Sequence, residues 1–138
     1  LWAINNNFQI VPISVSEYNP AILFQLGQKL AQVLSSQQYN NNISLVVSSD
    51  MSHYISHEQA QKQDKKAIEQ ILNLNPEGLY NIVAQENISM CGVLPMTLGL
   101  ACAKILGATR ARLVAYATSG DINGDYTKVV GYAGMIVS

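Results

Sequence analysis

Apolar residues recur at helical spacing through Ile22, Leu23, Leu26, Leu30, Val33 and Leu34, the stripe of a helix that buries one face. Asn19 is a natural cap and Pro20 a natural first residue, so a helix is predicted from there to about Leu34, covering one face of a sheet. Ahead of it, Gln9 to Val15 reads as a strand in which Pro12 is tolerated only at an edge or an irregular point. Ser35 to Asn42 is polar and without period, hence a loop, and Ile43 to Val47 is a short apolar run that reads as a buried strand. Ser56 followed by Gln59 forms a capping box for a helix to about Asn73 that turns Ala60, Ala67, Ile68, Ile71 and Leu72 inward. Asn75-Pro76 opens a shorter helix through Leu79, Tyr80, Ile82 and Val83. Pro95 stands in the first turn of a further helix, through Leu98, Leu100, Cys102 and Ile105, which Gly107 ends. That helix is apolar nearly all round, which predicts a central position. Arg112 to Thr118 and Lys128 to Val137 are the last strands, joined by a turn rich in Gly and Asp. Helices alternating with strands predict an α/β fold: a layered sheet with helices on both faces and an antiparallel carboxyl-terminal pair.

Composition narrows the function classes. A chain of 138 residues that is 49% hydrophobic and 12% charged has the makings of one compact domain. The net charge of -1 and the scattered Lys and Arg residues lack the footprint of a nucleic-acid binder. No apolar run approaches the ~18 residues that a membrane span needs, and no basic start precedes an apolar signal segment, so a cytoplasmic location is the expectation. Cys91 and Cys102 are expected to be free thiols, because a core of this size needs no covalent staple. In that compartment the sequons Asn42-Ile43-Ser44 and Asn87-Ile88-Ser89 are chance matches.

The chemistry concentrates in Ser48-Ser49-Asp50-Met51-Ser52-His53-Tyr54, directly after the apolar run, with Ser89-Met90-Cys91-Gly92 as a second polar spot before a helix. Strand ends in open α/β sheets border a crevice where loops carry ligand sites. Cys91, at a helix amino terminus, faces unpaired N–H groups that favour the metal-binding thiolate; a buried, inert cysteine is the plainer reading. His53 suits proton transfer, and a structural histidine bonded to backbone is the alternative. Asp50 can orient that imidazole and also cap the turn or helix that follows. His57, four residues after His53, has the spacing of a metal-binding pair, but the intervening Tyr54-Ile55-Ser56 reads as a turn with a new cap, so the rings need not share a face. Asp121-x-Asn123-x-Asp125 lacks the Gly and Glu positions of a calcium loop and reads as an acidic turn. A phosphate-binding Gly-rich loop, a nucleophile elbow and a Cys-x-x-Cys pair are all missing from the sequence.

Ser-Ser-Asp-x-Ser-His-Tyr at 48–54, Cys-Gly-x-x-Pro at 91–95, Tyr116 to Asp121 and Val129 to Ala133 together resemble the Memo family, the "B" member of the AMMECR, Memo and radical-SAM trio. The resemblance runs from about Ile10 to the end. It implies a fold like that of the class III extradiol dioxygenases, of which the chain would be the carboxyl-terminal part of a single domain, starting in mid-protein at Leu1. It also implies that Cys91 is a ligand of an iron or copper centre, alongside two histidines from the amino-terminal half, where the dioxygenases use a carboxylate. His53 would be the pocket acid/base with Asp50 beside it, and Ser49, Ser119 and Asp121 would line the pocket, with structural turn chemistry the plainer reading of Ser119 and Asp121. Two functions are compatible with this pattern. One is a redox metalloprotein acting with dioxygen or a reduced oxygen species. The other is a non-catalytic module that binds a metal, a peptide or a small molecule, or its AMMECR and radical-SAM companions. A half-domain would further expose a sheet edge and an apolar face that call for the amino-terminal half as partner.

Overall fold

The computed structural model describes residues 7–36 and 43–138. Its elements are α1 (Pro20–Leu34), β1 (His53–Ile55), α2 (His57–Leu72), α3 (Pro76–Gln85), α4 (Val93–Ile105), β2 (Ala111–Thr118), α5 (Gly120–Asn123) and β3 (Val129–Val137). The helix starts follow from side chains that satisfy otherwise unpaired N–H groups. The Asn19 side chain accepts from the Ala21 N–H, the Asn75 side chain accepts from the Gly78 N–H, and Ser56 and Gln59 form the full reciprocal capping box. Helix α4 is capped by Leu106, after which Gly107 takes φ 95°, a left-handed conformation that costs glycine little.

Two packed clusters hold these elements. The larger joins Ala67, Ile68 and Ile71 of α2 to Leu79 and Val83 of α3 and Leu100 of α4. Each fully buried aliphatic side chain there contributes about 1.5–3 kcal/mol. The smaller joins Leu23 of α1 to Leu94 and Leu98 of α4. Gly27 sets how near α1 and α4 approach: a Cβ on it would lie 2.9 Å from the Ala101 Cβ and 3.0 Å from the Leu98 carbonyl oxygen. The apolar character of α4 all round is thereby explained, since α1 and α3 both pack on it.

Among the described residues the sheet has three strands in the order β1-β3-β2, both pairs antiparallel. Its bulge on β2 falls between Leu113 and Ala115. Tyr116, Ala133, Met135 and Val137 turn toward the large cluster, whereas Val114, Tyr132 and Ile136 on the other side are exposed. The α/β class and the carboxyl-terminal pair therefore agree with expectation, and the layered sheet covered by helices on both faces does not. In the described residues helices cover one face.

The strands expected at 9–15 and 43–47 are also corrected. Both segments run outside any ladder, with Val11 82% and Val46 61% exposed. An apolar, β-branched run favours extended backbone, but a strand exists only through a neighbour's hydrogen bonds, and no described residue supplies them. Segment 43–47 instead reaches α4 at Gly99, where an added Cβ would lie 3.0 Å from the Val47 Cγ2 and 3.7 Å from the Leu45 Cδ2. The loop expected at 35–42 begins as a turn at Ser35-Ser36, and its remainder lies outside the described residues.

Candidate functional site

The motif at 48–54 does not follow a strand end; it leads into one. Its first half is stitched to β3 by the Met51 N–H donating to the Gly131 carbonyl and the Gly131 N–H donating to the Ser52 carbonyl, both at 2.9 Å. Beneath it, Asp64 of α2 is fully buried and accepts from the Ser52 N–H at 2.9 Å, the Ser52 hydroxyl at 2.5 Å and the Tyr116 hydroxyl at 2.7 Å. Three donors on one carboxylate compensate a burial that would otherwise be costly. Burial and then the Asp64 hydrogen bond push the Tyr116 phenol well above its ordinary value, so it stays a donor. Gly131 must be glycine here, because a Cβ on it would lie 2.0 Å from the Asp64 Oδ2.

The segment then enters β1 through a bulge. Tyr54 takes φ 59°, and the pairing with β3 shifts between His53 and Ile55. A non-glycine residue in the left-handed region at a bulge re-aims its neighbours. His53 is gripped at two points by Ser89: its backbone N–H donates to the Ser89 hydroxyl at 2.7 Å, and its Nδ1 lies 2.6 Å from the Ser89 carbonyl oxygen. A carbonyl oxygen only accepts, so Nδ1 carries a proton and Nε2 is the nitrogen left for chemistry. That Nε2 faces the Asp50 carboxylate at 3.4 Å.

Cys91 is exposed, one residue before the Gly92 cap of α4, and its Sγ accepts the Asp50 N–H at 3.2 Å. The sulfur therefore meets the peptide of the motif loop, where the first turn of the helix was expected. Ser49 ties the two segments together: its Oγ accepts from the Gly92 N–H at 2.9 Å, donates to the Asp50 carbonyl at 2.7 Å and lies 3.8 Å from the Cys91 Sγ. As a result one side-chain atom each of Asp50, His53 and Cys91 lies within 4.8 Å of the others. The three residues singled out in the sequence for chemistry converge. The Asp50 carboxylate lies beside the ring, 3.4 Å from Nε2, while the cap of the following helix belongs to Ser56.

The other candidates fall elsewhere. The Ser119 hydroxyl accepts the Val130 N–H at 3.1 Å, and the Asp121 carboxylate accepts the Thr118 N–H at 2.7 Å and its hydroxyl at 3.3 Å. Both side chains thus secure the turn after β2. His57, as expected, does not join His53; its Nδ1 bonds the Thr118 hydroxyl at 2.9 Å and its ring meets Tyr126 edge-on. Cys102 is buried, and burial pushes its thiol up, as suits an inert core residue. Sequence reasoning missed Asp64 and the double grip of Ser89. Asp64 carried a signal, since it interrupts the inward stripe of Ala60, Ala67, Ile68 and Ile71 on α2.

Similarity to known proteins decides the family. A family model for Memo-like proteins matches residues 1–136. This chain belongs to the Memo-like family. It is 45% identical over 132 residues to a MEMO1 family protein of Methanocaldococcus jannaschii, covering 94% of this chain and 45% of that protein. It is 43% identical over 129 residues to one of Aquifex aeolicus (94% and 47% covered) and 36% identical over 135 residues to one of Methanopyrus kandleri (98% and 47% covered). The Memo-like chain spans about half the length of the curated relatives it matches. Among its described residues no helix is long and apolar enough to cross a membrane.

Proposed function

We propose that Cys91, with His53 and Asp50 beside it, forms this chain's share of a redox-active iron or copper site. The convergence of sulfur, imidazole nitrogen and carboxylate oxygen within 4.8 Å carries the reading. The donor chemistry fits such a group: thiolate and imidazole suit iron and copper, whereas magnesium and calcium call for oxygen donors alone. Cys91 is the ligand, and two histidines from the amino-terminal part of the family's domain complete the set. When bound, the metal supplies binding and polarisation of a small molecule such as dioxygen.

The chain's own residues supply the rest. The Ser89 carbonyl fixes the protonated Nδ1, so His53 exchanges protons only through Nε2. Asp50 orients that nitrogen and stabilises the imidazolium when the ring takes a proton from a bound substrate. Asp64 acts through Ser52 to hold the loop that presents both groups.

The test uses the full-length protein purified anaerobically. Cys91→Ser is expected to lower iron or copper affinity at least about tenfold, a loss comparable to or larger than that from outer-shell changes. Unchanged metal content in Cys91→Ser, or a wild-type protein that takes up neither metal, would overturn the reading. A protein that holds metal yet turns over no oxygen species would instead be the binding module.

A further inference from the structure

All four methionines of the chain, Met51, Met90, Met96 and Met135, line one small hollow. They come from four separate places: the motif loop, the segment before Cys91, helix α4 and strand β3. Val47, Ile71 and Ala133 complete the apolar part of the wall, and the volume is about 70 Å³. Ser49 brings the one polar side chain, and its hydroxyl is already engaged with the Gly92 N–H and the Asp50 carbonyl. The same Oγ lies 3.8 Å from the Cys91 sulfur, so a single side chain separates the hollow from the cluster.

Thioether side chains are unbranched, polarisable and able to reshape around an occupant. The side chains around this space offer no free hydroxyl, amide or charge, and polar atoms of the backbone share its wall with the thioethers. We propose that the hollow is a binding site for a compact apolar group placed against the Asp50–His53–Cys91 cluster. The group is either a free apolar gas such as dioxygen or the short alkyl end of an organic substrate. The inference rests on reading the cluster as the reactive centre, and it adds the kind of ligand that centre receives.

The experiment needs no metal, so its failure is separate from failure of the metal reading. Full-length protein labelled with 13C at the methionine and leucine methyls is pressurised with xenon, and the methyls of Leu23 and Leu98, in the other cluster, serve as reference. Saturable shifts at Met51, Met90, Met96 and Met135 are expected, without matching shifts at the leucines. Ala133→Leu and Val47→Phe fill the hollow from two sides and should each abolish the saturation; Val47 lies on an extended segment, which keeps the test open if the β3 change disturbs folding. Two further titrations separate the sources. Oxygen broadening of the four methyls beyond the leucines, with no binding of n-alkanols, identifies the gas. Affinity rising about fourfold per methylene from ethanol and levelling off by butanol identifies the alkyl end. Shifts that grow only linearly with xenon pressure, or saturation that survives both filling variants, would overturn the proposal, as would a hollow filled by water.

Discussion

Two histidines four residues apart sit in clusters of nearly the same composition, and the two clusters are bonded differently. His53 has Asp50, Ser89 and Cys91 around it; His57 has Thr118, Asp121 and Tyr126. Around His57 the groups answer one another: Thr118 is 1% exposed, and its hydroxyl and N–H both bond Asp121. Around His53 they do not close on themselves. The ring nitrogen facing Asp50, the half-exposed carboxylate and the exposed sulfur all point to one shared space. Residue type alone therefore does not separate a closed brace from an open cluster. What separates them is whether the hydrogen-bonding capacity is used up within the cluster or left directed outward.

The sharpest way to break this contrast is to remove what holds the open cluster in place. Asp64→Ala takes the acceptor from the buried Ser52 N–H and hydroxyl and from the partly buried Tyr116 hydroxyl, and about 3 kcal/mol of stability should be lost in a urea melt. A loss below about 1 kcal/mol would mean that the loop stands without its carboxylate.

A matched pair of substitutions comes next. His53→Ala should lower metal affinity by about tenfold to hundredfold with little change in thermal midpoint. His57→Ala should leave metal affinity as it is and cost about 1 kcal/mol, because it removes the Thr118 bond and the Tyr126 contact. Titration calorimetry and thermal melts on both proteins decide the matter, and interchanged effects would erase the distinction drawn here.

The smallest effect concerns pH. Tyr116 has its folded value raised, so its contribution is fully present below the ordinary phenol value of about 10 and is lost as pH rises from there through the folded value. Tyr116→Phe should cost about 1 kcal/mol at neutral pH and flatten the alkaline fall in stability. An equally steep fall in the variant would place the alkaline sensitivity in another group.

Much of the fold was legible because it is local. Caps at Asn19, Ser56 and Asn75 and the apolar stripes behind them depend on neighbours within a turn, and so helices α1 to α4 were readable almost to the residue. The segments 9–15 and 43–47 join no ladder among the described residues, because strand identity belongs to a pair of segments. Cys91, His53 and Asp50 stood out in sequence through residue type and motif. Their meeting was implied by the family resemblance and not by spacing, since 37 residues and two helices lie between His53 and Cys91. Ser119 and Asp121 were legible as turn residues, and their bonds hold the turn after β2.

By itself the sequence determined the helices, the carboxyl-terminal strand pair, the free cysteines and the short roster of candidate site residues, all of which follow from local propensity or from chemistry intrinsic to a residue. Tertiary structure alone decided that Ser49 and Ser89 clamp Cys91 and His53 across the gap, that Asp64 anchors the loop from below, and that four scattered methionines share one hollow. Such contacts join residues far apart in the chain, and only the packing of α2, α4 and β3 around a common core sets the distances between them.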